Sequence, residues 1–132
     1  MGIELRTIGF VRTDAEKLPR HWSVSDVEGT LAIDEEYSEG LRDIEPGQRI
    51  VVIFHFHRSP EFSPEFLRQT SGQHGREMCV FGTCSPIRPN PVGVSVLEVL
   101  GIRDANINVR RLDMIDGTPI LDIKPHIEAG GG

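Results

Sequence analysis

The chain of 132 residues contains only two cysteines, one tryptophan and one tyrosine. No apolar run approaches the length of about 20 residues that a membrane-spanning helix requires. Cys79 and Cys84 are too few for a disulfide scaffold or a complete cysteine metal site, and are expected as buried free thiols. The start, Met1-Gly2-Ile3-Glu4, lacks the basic-then-apolar pattern of a secretory signal, so the expected location is the cytoplasm, with no membrane partner. Neither Gly-x-Gly-x-x-Gly nor Gly-x-x-x-x-Gly-Lys-Ser/Thr occurs, which removes both glycine-rich phosphate fingerprints. An overall basic excess is also missing. Fourteen Lys and Arg stand against twenty Asp and Glu, a net charge of −6, so the molecule is not a uniformly basic nucleic-acid binder.

What is present points to a β-rich domain. Hydrophobic residues make up 38% and charged residues 26%, the balance of a chain that folds around one core. Fourteen glycines and nine prolines favour frequent turns over long helices. Strands are expected at Ile3–Arg12, Gly29–Ile33, Ile50–His57, Met78–Thr83, Val92–Leu100, Ile107–Ile115 and Ile120–Ile123, from their alternating or β-branched character. Asp34 is placed to cap a short helix with Tyr37, Leu41 and Ile44 on one face. Asp116-Gly117 reads as a hairpin turn, 58–76 as a long polar loop and 128–132 as a loose tail. The absence of alternating long helices excludes a doubly wound sheet. The expected class is all-β: a closed or nearly closed barrel of about six or seven strands with one short helix and the long polar loop.

Charge is uneven along the chain. Residues 14–45 hold ten acids and three bases. Residues 85–111 hold Arg88, Arg103, Arg110 and Arg111 against Glu98 and Asp104, so a polyanion is expected to bind there.

Several segments suit chemistry. Ser85-Pro86-Ile87-Arg88-Pro89-Asn90-Pro91 has three prolines that fix φ, making a stiff loop that either presents Arg88 and Asn90 or simply connects two strands. His55 and His57 share a strand face, with His74 in the next loop, but no third ligand stands at a recognisable metal spacing. Trp22, beside His21, is either an aromatic platform or a lid on the core. Asp122 and Lys124 share a face and are expected to pair.

Two of these segments resemble a known family. Phe81-Gly82-Thr83-Cys84-Ser85-Pro86-Ile87-Arg88-Pro89-Asn90-Pro91-Val92-Gly93-Val94-Ser95 and the run from Asp113 through Asp116-Gly117-Thr118-Pro119 to Lys124-Pro125-His126 are similar to motifs of the TsaA-like, TrmO-type family of S-adenosylmethionine-dependent tRNA N6-methyltransferases. Ile8-Gly9-Phe10-Val11-Arg12-Thr13 with Pro19-Arg20 resembles the start of that family, so the likeness covers nearly the whole chain in order. It implies a single-sheeted β-barrel working as a homodimer, binding S-adenosylmethionine and methylating N6 of threonylcarbamoyl-adenosine 37 beside the tRNA anticodon. The cofactor site it implies comprises His21, Trp22, Ser23, Phe56, His57, Cys84, Val94, Arg110, Arg111, Leu112 and Asp113. Asp113 or Asp116 would serve the adenine amine as base, Asp113 alternatively as orienter of the cofactor. Arg88 and Asn90 would position the reactants. The sequence departs from the family at Cys84, where an Arg is usual, and at His21-Trp22-Ser23 and His126. The other reading is a barrel of the same fold that binds the cofactor but acts on another acceptor, or only binds a small ligand.

Overall fold

In the computed structural model, residues 2–70 and 75–128 are described. Eight strands form: β1 (Gly9–Arg12), β2 (Glu28–Ile33), β3 (Arg49–His55), β4 (Arg68–Thr70), β5 (Glu77–Cys79), β6 (Val92–Arg103), β7 (Asn106–Arg110) and β8 (Pro119–Pro125). Six of them close into an antiparallel barrel in the order β1-β2-β7-β6-β3-β8, with β8 returning to β1. Closure leaves no unpaired sheet edge in the barrel. The expected all-β barrel is therefore the observed class.

The interior follows from the period of two. Ile50, Val52 and Phe54 of β3, Leu97 and Val99 of β6, and Ile107 and Val109 of β7 all point inward and are buried. Ladder irregularities between Ile53 and Phe54 of β3 and between Val99 and Gly101 of β6 help bend the sheet toward closure.

The two ends of the barrel differ. At one end, Asp34 precedes a 3-10 segment, Glu35–Leu41, instead of capping an α-helix, and makes no side-chain cap bond. Leu41 is buried, and Tyr37 and Ile44 pack on the core, so the three residues expected to face inward do so although the segment is not α-helical and ends before Ile44. At the other end three connections converge, 13–27, 56–91 and 111–118, because β1, β3 and β7 finish there and β2, β6 and β8 begin there. The connection 34–48 and the short turn at Asp104-Ala105 occupy the first end.

Several expected elements differ. Residues 3–8 precede β1 without joining its ladder, although the Ile8 N–H donates to the Ile120 carbonyl. Asp116-Gly117 is a turn, with Gly117 at φ +85°, but it does not join a hairpin, because β7 and β8 are not neighbours. β7 stops at Arg110, where Arg111 adopts φ +75° and redirects the chain. The 58–76 segment is not a bare loop: it carries a 3-10 turn, Pro64–Leu67, and β4, which pairs with β5. Cys79 and Cys84 are exposed, not buried, because a 3-10 turn over Val80–Gly82 replaces the strand expected there. His74 and the tail 129–132 lie outside the described residues. Asp122 and Lys124 do pair, at 2.7 Å.

Candidate active site at the barrel mouth

Phe54, at the end of β3, begins the site. Its ring meets that of Phe56 edge-on, centroids 5.0 Å apart. Both rings need Gly93 opposite them on β6. A Cβ there would lie 2.7 Å from the Phe56 ring and closer still to Phe54. With no side chain at this position, the aromatic pair fits between β3 and β6 and lines a cleft of about 290 Å³. His55, His57, Arg58, Pro86, Ile87, Met114 and Thr118 complete most of its wall, and Asp113 is its one acidic side chain.

Asp113 reaches this position through its own connection. Arg111 turns the chain, Leu112 and Met114 anchor in the core, and Asp113 between them points toward β6. The Ser95 hydroxyl donates to Asp113 Oδ1 over 2.6 Å. Burial pushes the Asp113 carboxyl above the usual carboxylate range, opposed by hydrogen bonds from the Ser95 hydroxyl and the Trp22 N–H and by the nearby His21 imidazole. Asp113 thus joins the cleft to the 13–27 connection. There the His21 and Trp22 rings lie 4.9 Å apart, and His21 Nδ1 is 2.7 Å from Ser23 Oγ. Trp22 packs on the core, as a lid would, and its ring lies tilted by 35° against that of His21. Ser25 fastens this segment by donating to the Leu112 carbonyl over 2.6 Å.

His57 is held below its ordinary value, first by burial and then by the neighbouring Arg58 and His55. It is therefore neutral at physiological pH and available as a hydrogen-bond acceptor or donor. His55 and His57 share the cleft, but the described residues contain no group of three or more potential metal ligands.

Other expected residues sit elsewhere. Leu112 is fully buried, and its backbone is engaged too, the N–H donating to the Val27 carbonyl and the carbonyl accepting from Ser25. Asp116 accepts the Thr13 N–H at 3.0 Å and ties β1 to the 111–118 connection, away from the cleft wall. Arg88 turns back on its own loop and donates to the Thr83 and Ser85 carbonyls. Asn90 is exposed and does not line the cleft. The proline loop is stiff as expected, but it presents Pro86 and Ile87 to the cleft, braced by Ser59 on the Pro86 carbonyl and Gln69 on the Ile87 carbonyl. Cys84 and Val94 are exposed, outside the cleft wall.

The four arginines of 85–111 do not form one patch. Arg110 makes a two-pronged bond to Glu98, both contacts 2.9 Å, because the two face each other across β6 and β7. Arg103 lies at the far end of β6, on the order of 30 Å from the mouth along the strand. Among the described residues Arg20, Arg58, Arg76, Arg88 and Arg111 of the mouth connections have no carboxylate partner; of these, Arg58 lines the cleft and Arg111 stands two residues from Asp113.

Sequence reading missed Ser95, Arg58, Met114 and Thr118. Ser95 carried a signal: it is the polar residue at an inward position of an otherwise apolar strand. Met114 and Thr118 lay inside the Asp113–Pro125 run without being singled out, and Arg58 lay outside every motif; only the fold brings the β3 end against 111–118. A second, more open groove of about 610 Å³ runs along β1, β2, β6 and β7, but neither Asp113 nor the aromatic pair lines it.

A closed six-stranded antiparallel barrel with an aromatic cleft at one mouth and a half-buried carboxylate in its wall has the form of a small-ligand-binding β-barrel. The chain belongs to the tRNA-methyltransferase O N-terminal domain family, whose model matches residues 10–130. It is 36% identical over 125 residues to the S-adenosyl-L-methionine-binding protein of Archaeoglobus fulgidus, covering 92% of this chain and 88% of that one. The human tRNA (adenine(37)-N6)-methyltransferase is 34% identical over 87 residues, 66% of this chain and 20% of that protein. The crystal structure of TrmO from Pseudomonas aeruginosa superposes with a TM-score of 0.75 at 28% identity, covering 96% of this chain. This chain spans 57% of that structure's length.

Proposed function

We propose that this barrel binds S-adenosylmethionine at the mouth and transfers its methyl group to N6 of adenosine 37 in tRNA, the threonylcarbamoyl-modified form being the acceptor. The observation that carries the reading is Asp113, a carboxylate held in an apolar, aromatic-walled cleft beside the His21–Trp22 pair. The residues fit the cofactor. Phe54, Phe56 and Ile87 offer flat apolar surface to an adenine, and Asp113 offers negative charge to a ligand carrying a sulfonium and an ammonium. When bound, the cofactor supplies an electrophilic methyl group.

The protein's own work is positioning and proton management. The proline loop and the Phe54–Phe56 pair exclude water and fix the approach direction, on which in-line displacement depends. The N6 lone pair of adenine is delocalised into the ring, so a group accepting an N6 proton assists attack. Asp113 and neutral His57 both line the cleft, whereas Asp116 is engaged with Thr13. We assign cofactor orientation to Asp113 and proton acceptance to His57.

Charge placement supports a polyanionic substrate. The connection 34–45 at the opposite end carries six acids and one base, while the three connections at the mouth carry eight acids and seven bases together. Much of the net −6 therefore sits away from the cleft. Arg58→Ala and Arg111→Ala are each expected to reduce the salt dependence of tRNA binding by about one unit of slope. Arg103→Ala and Arg110→Ala should leave it unchanged, which separates the mouth from the rest of the 85–111 stretch. The measurement is tRNA affinity at several salt concentrations. Equal slopes in all four variants would contradict the assignment.

A homodimer belongs to the same proposal, since one mouth is small against an anticodon stem-loop and two subunits double the number of Arg58 and Arg111 side chains available. Light scattering at micromolar concentration should give twice the chain mass; a monomer mass would contradict it.

A further inference from the structure

Ser95 is fully buried on β6, flanked by Val94 and Val96 and followed inward by Leu97. A hydroxyl in such a place opposes folding unless it has a partner, and packing alone would be met by an apolar residue of similar size. Its side chain has one partner, Asp113 Oδ1, at 2.6 Å. The two come from elements of different stiffness. Ser95 belongs to a twelve-residue strand paired on both sides, whereas Asp113 lies in the 111–118 connection, which has no regular structure.

We propose that Ser95 is a positioning residue for the cofactor site: its strand-borne hydroxyl fixes the loop-borne Asp113 carboxylate in the orientation that presents it to the cleft. The hydroxyl grips the carboxylate from the barrel interior, and the backbone N–H of Trp22 lies near it on the 13–27 connection. The Ser95 bond sets the rotamer, and the charged ligand then meets a carboxylate already aimed at it. Ser95 itself contributes nothing to the cleft wall. The groups that face Asp113 electrostatically are His21 from the 13–27 connection and, across the cleft, His55, His57 and Arg58 from the end of β3. The proline loop adds only Pro86 and Ile87. The Ser95 bond also favours the ionised carboxyl, so its loss has a signature in titration as well as in affinity.

The proposal rests on the cofactor reading above, and the test separates the two. The carboxyl carbon of Asp113 is followed by NMR against pH in the free protein, for wild type, Ser95→Ala and Ser95→Cys. Calorimetry measures S-adenosylmethionine affinity at pH 7.5 for the same proteins and in an Asp113→Asn background. Ser95→Ala is expected to move the Asp113 midpoint to higher pH and weaken cofactor binding about tenfold, as loss of one charge-assisted bond should. Ser95→Cys, a weaker donor of similar size, should fall between. In the Asp113→Asn background, Ser95→Ala should change affinity less than about twofold. A purely structural serine would lower the melting temperature and leave midpoint and affinity in place, which would overturn the proposal. If Ser95→Ala does not fold, the Ser95→Cys midpoint and affinity decide by the same criterion. If wild type binds no cofactor, the positioning role toward it is overturned together with the cofactor reading. If wild type binds and neither serine variant differs from it, the positioning role alone fails.

Discussion

Asp113→Asn is expected to weaken S-adenosylmethionine binding by about ten- to a hundredfold, and to raise the melting temperature of the free protein at neutral pH. The first effect follows from removing the one acidic side chain of the cleft, which faces a cationic ligand; a hydrogen bond to a charged group is worth roughly 1.5–3 kcal/mol. The second follows from the direction of the Asp113 shift. Burial raises its folded-state value above the ordinary one, so the charged form is the one the fold disfavours. Such a carboxyl lowers stability once the pH exceeds its unfolded value and lowers it further up to the folded value; below both, it is protonated and the penalty vanishes. Asparagine has no charge to desolvate and still accepts from Ser95. The stabilisation should therefore be present at pH 7.5 and shrink toward pH 3. A variant that binds normally, or that loses stability at pH 7.5, would remove Asp113 from its assigned role.

Gly93→Ala is expected to destabilise the fold by about 1–3 kcal/mol and to deform the cleft. A methyl group there overlaps the rings of both Phe54 and Phe56. Phe54 is buried, so its ring has little room to yield without disturbing the barrel end. The remedy should be local: in the Phe56→Leu background part of the overlap disappears, and Gly93→Ala should cost less there. Chemical denaturation of the four proteins measures the coupling, and strict additivity would show that Gly93 is not packed against Phe56 as described.

The fold was legible wherever the interior imposes the period of two. Ile50, Val52 and Phe54 announce a strand whose inner face is apolar, and Ile107 and Val109 do the same. The strand ends were harder to read. Ile107–Ile115 looked continuous because Leu112 and Met114 are apolar, yet both enter the core from an irregular connection after Arg111 turns the chain. The hairpin expected at Asp116-Gly117 failed for a related reason. A turn fixes local direction, but strand neighbours depend on barrel closure, which places β8 between β3 and β1.

The candidate site was legible in part. Phe56, His57 and Asp113, all named from the sequence, line one cleft, with His21 and Trp22 beside Asp113. Arg88 and Asn90 were misread because a proline-locked loop restricts the backbone without saying which side chain it turns inward; the structure turns in Pro86 and Ile87. Arg110 looked like a free cation because its partner, Glu98, is twelve residues away and meets it only across a ladder. Arg58 escaped notice because it lies just past the end of β3, outside every motif.

The central claim is methyl transfer to tRNA, and one measurement addresses it directly. The purified protein is incubated with S-adenosylmethionine labelled with carbon-13 at the methyl group and with tRNA carrying threonylcarbamoyl-adenosine 37. The tRNA is then digested and its nucleosides analysed by mass spectrometry with fragmentation. The account predicts one labelled methyl on N6 of that nucleoside, absent when Asp113→Asn replaces the wild-type protein. Cofactor binding by calorimetry with no label in any tRNA nucleoside would contradict it, and would make this barrel a binder of S-adenosylmethionine that serves a different acceptor.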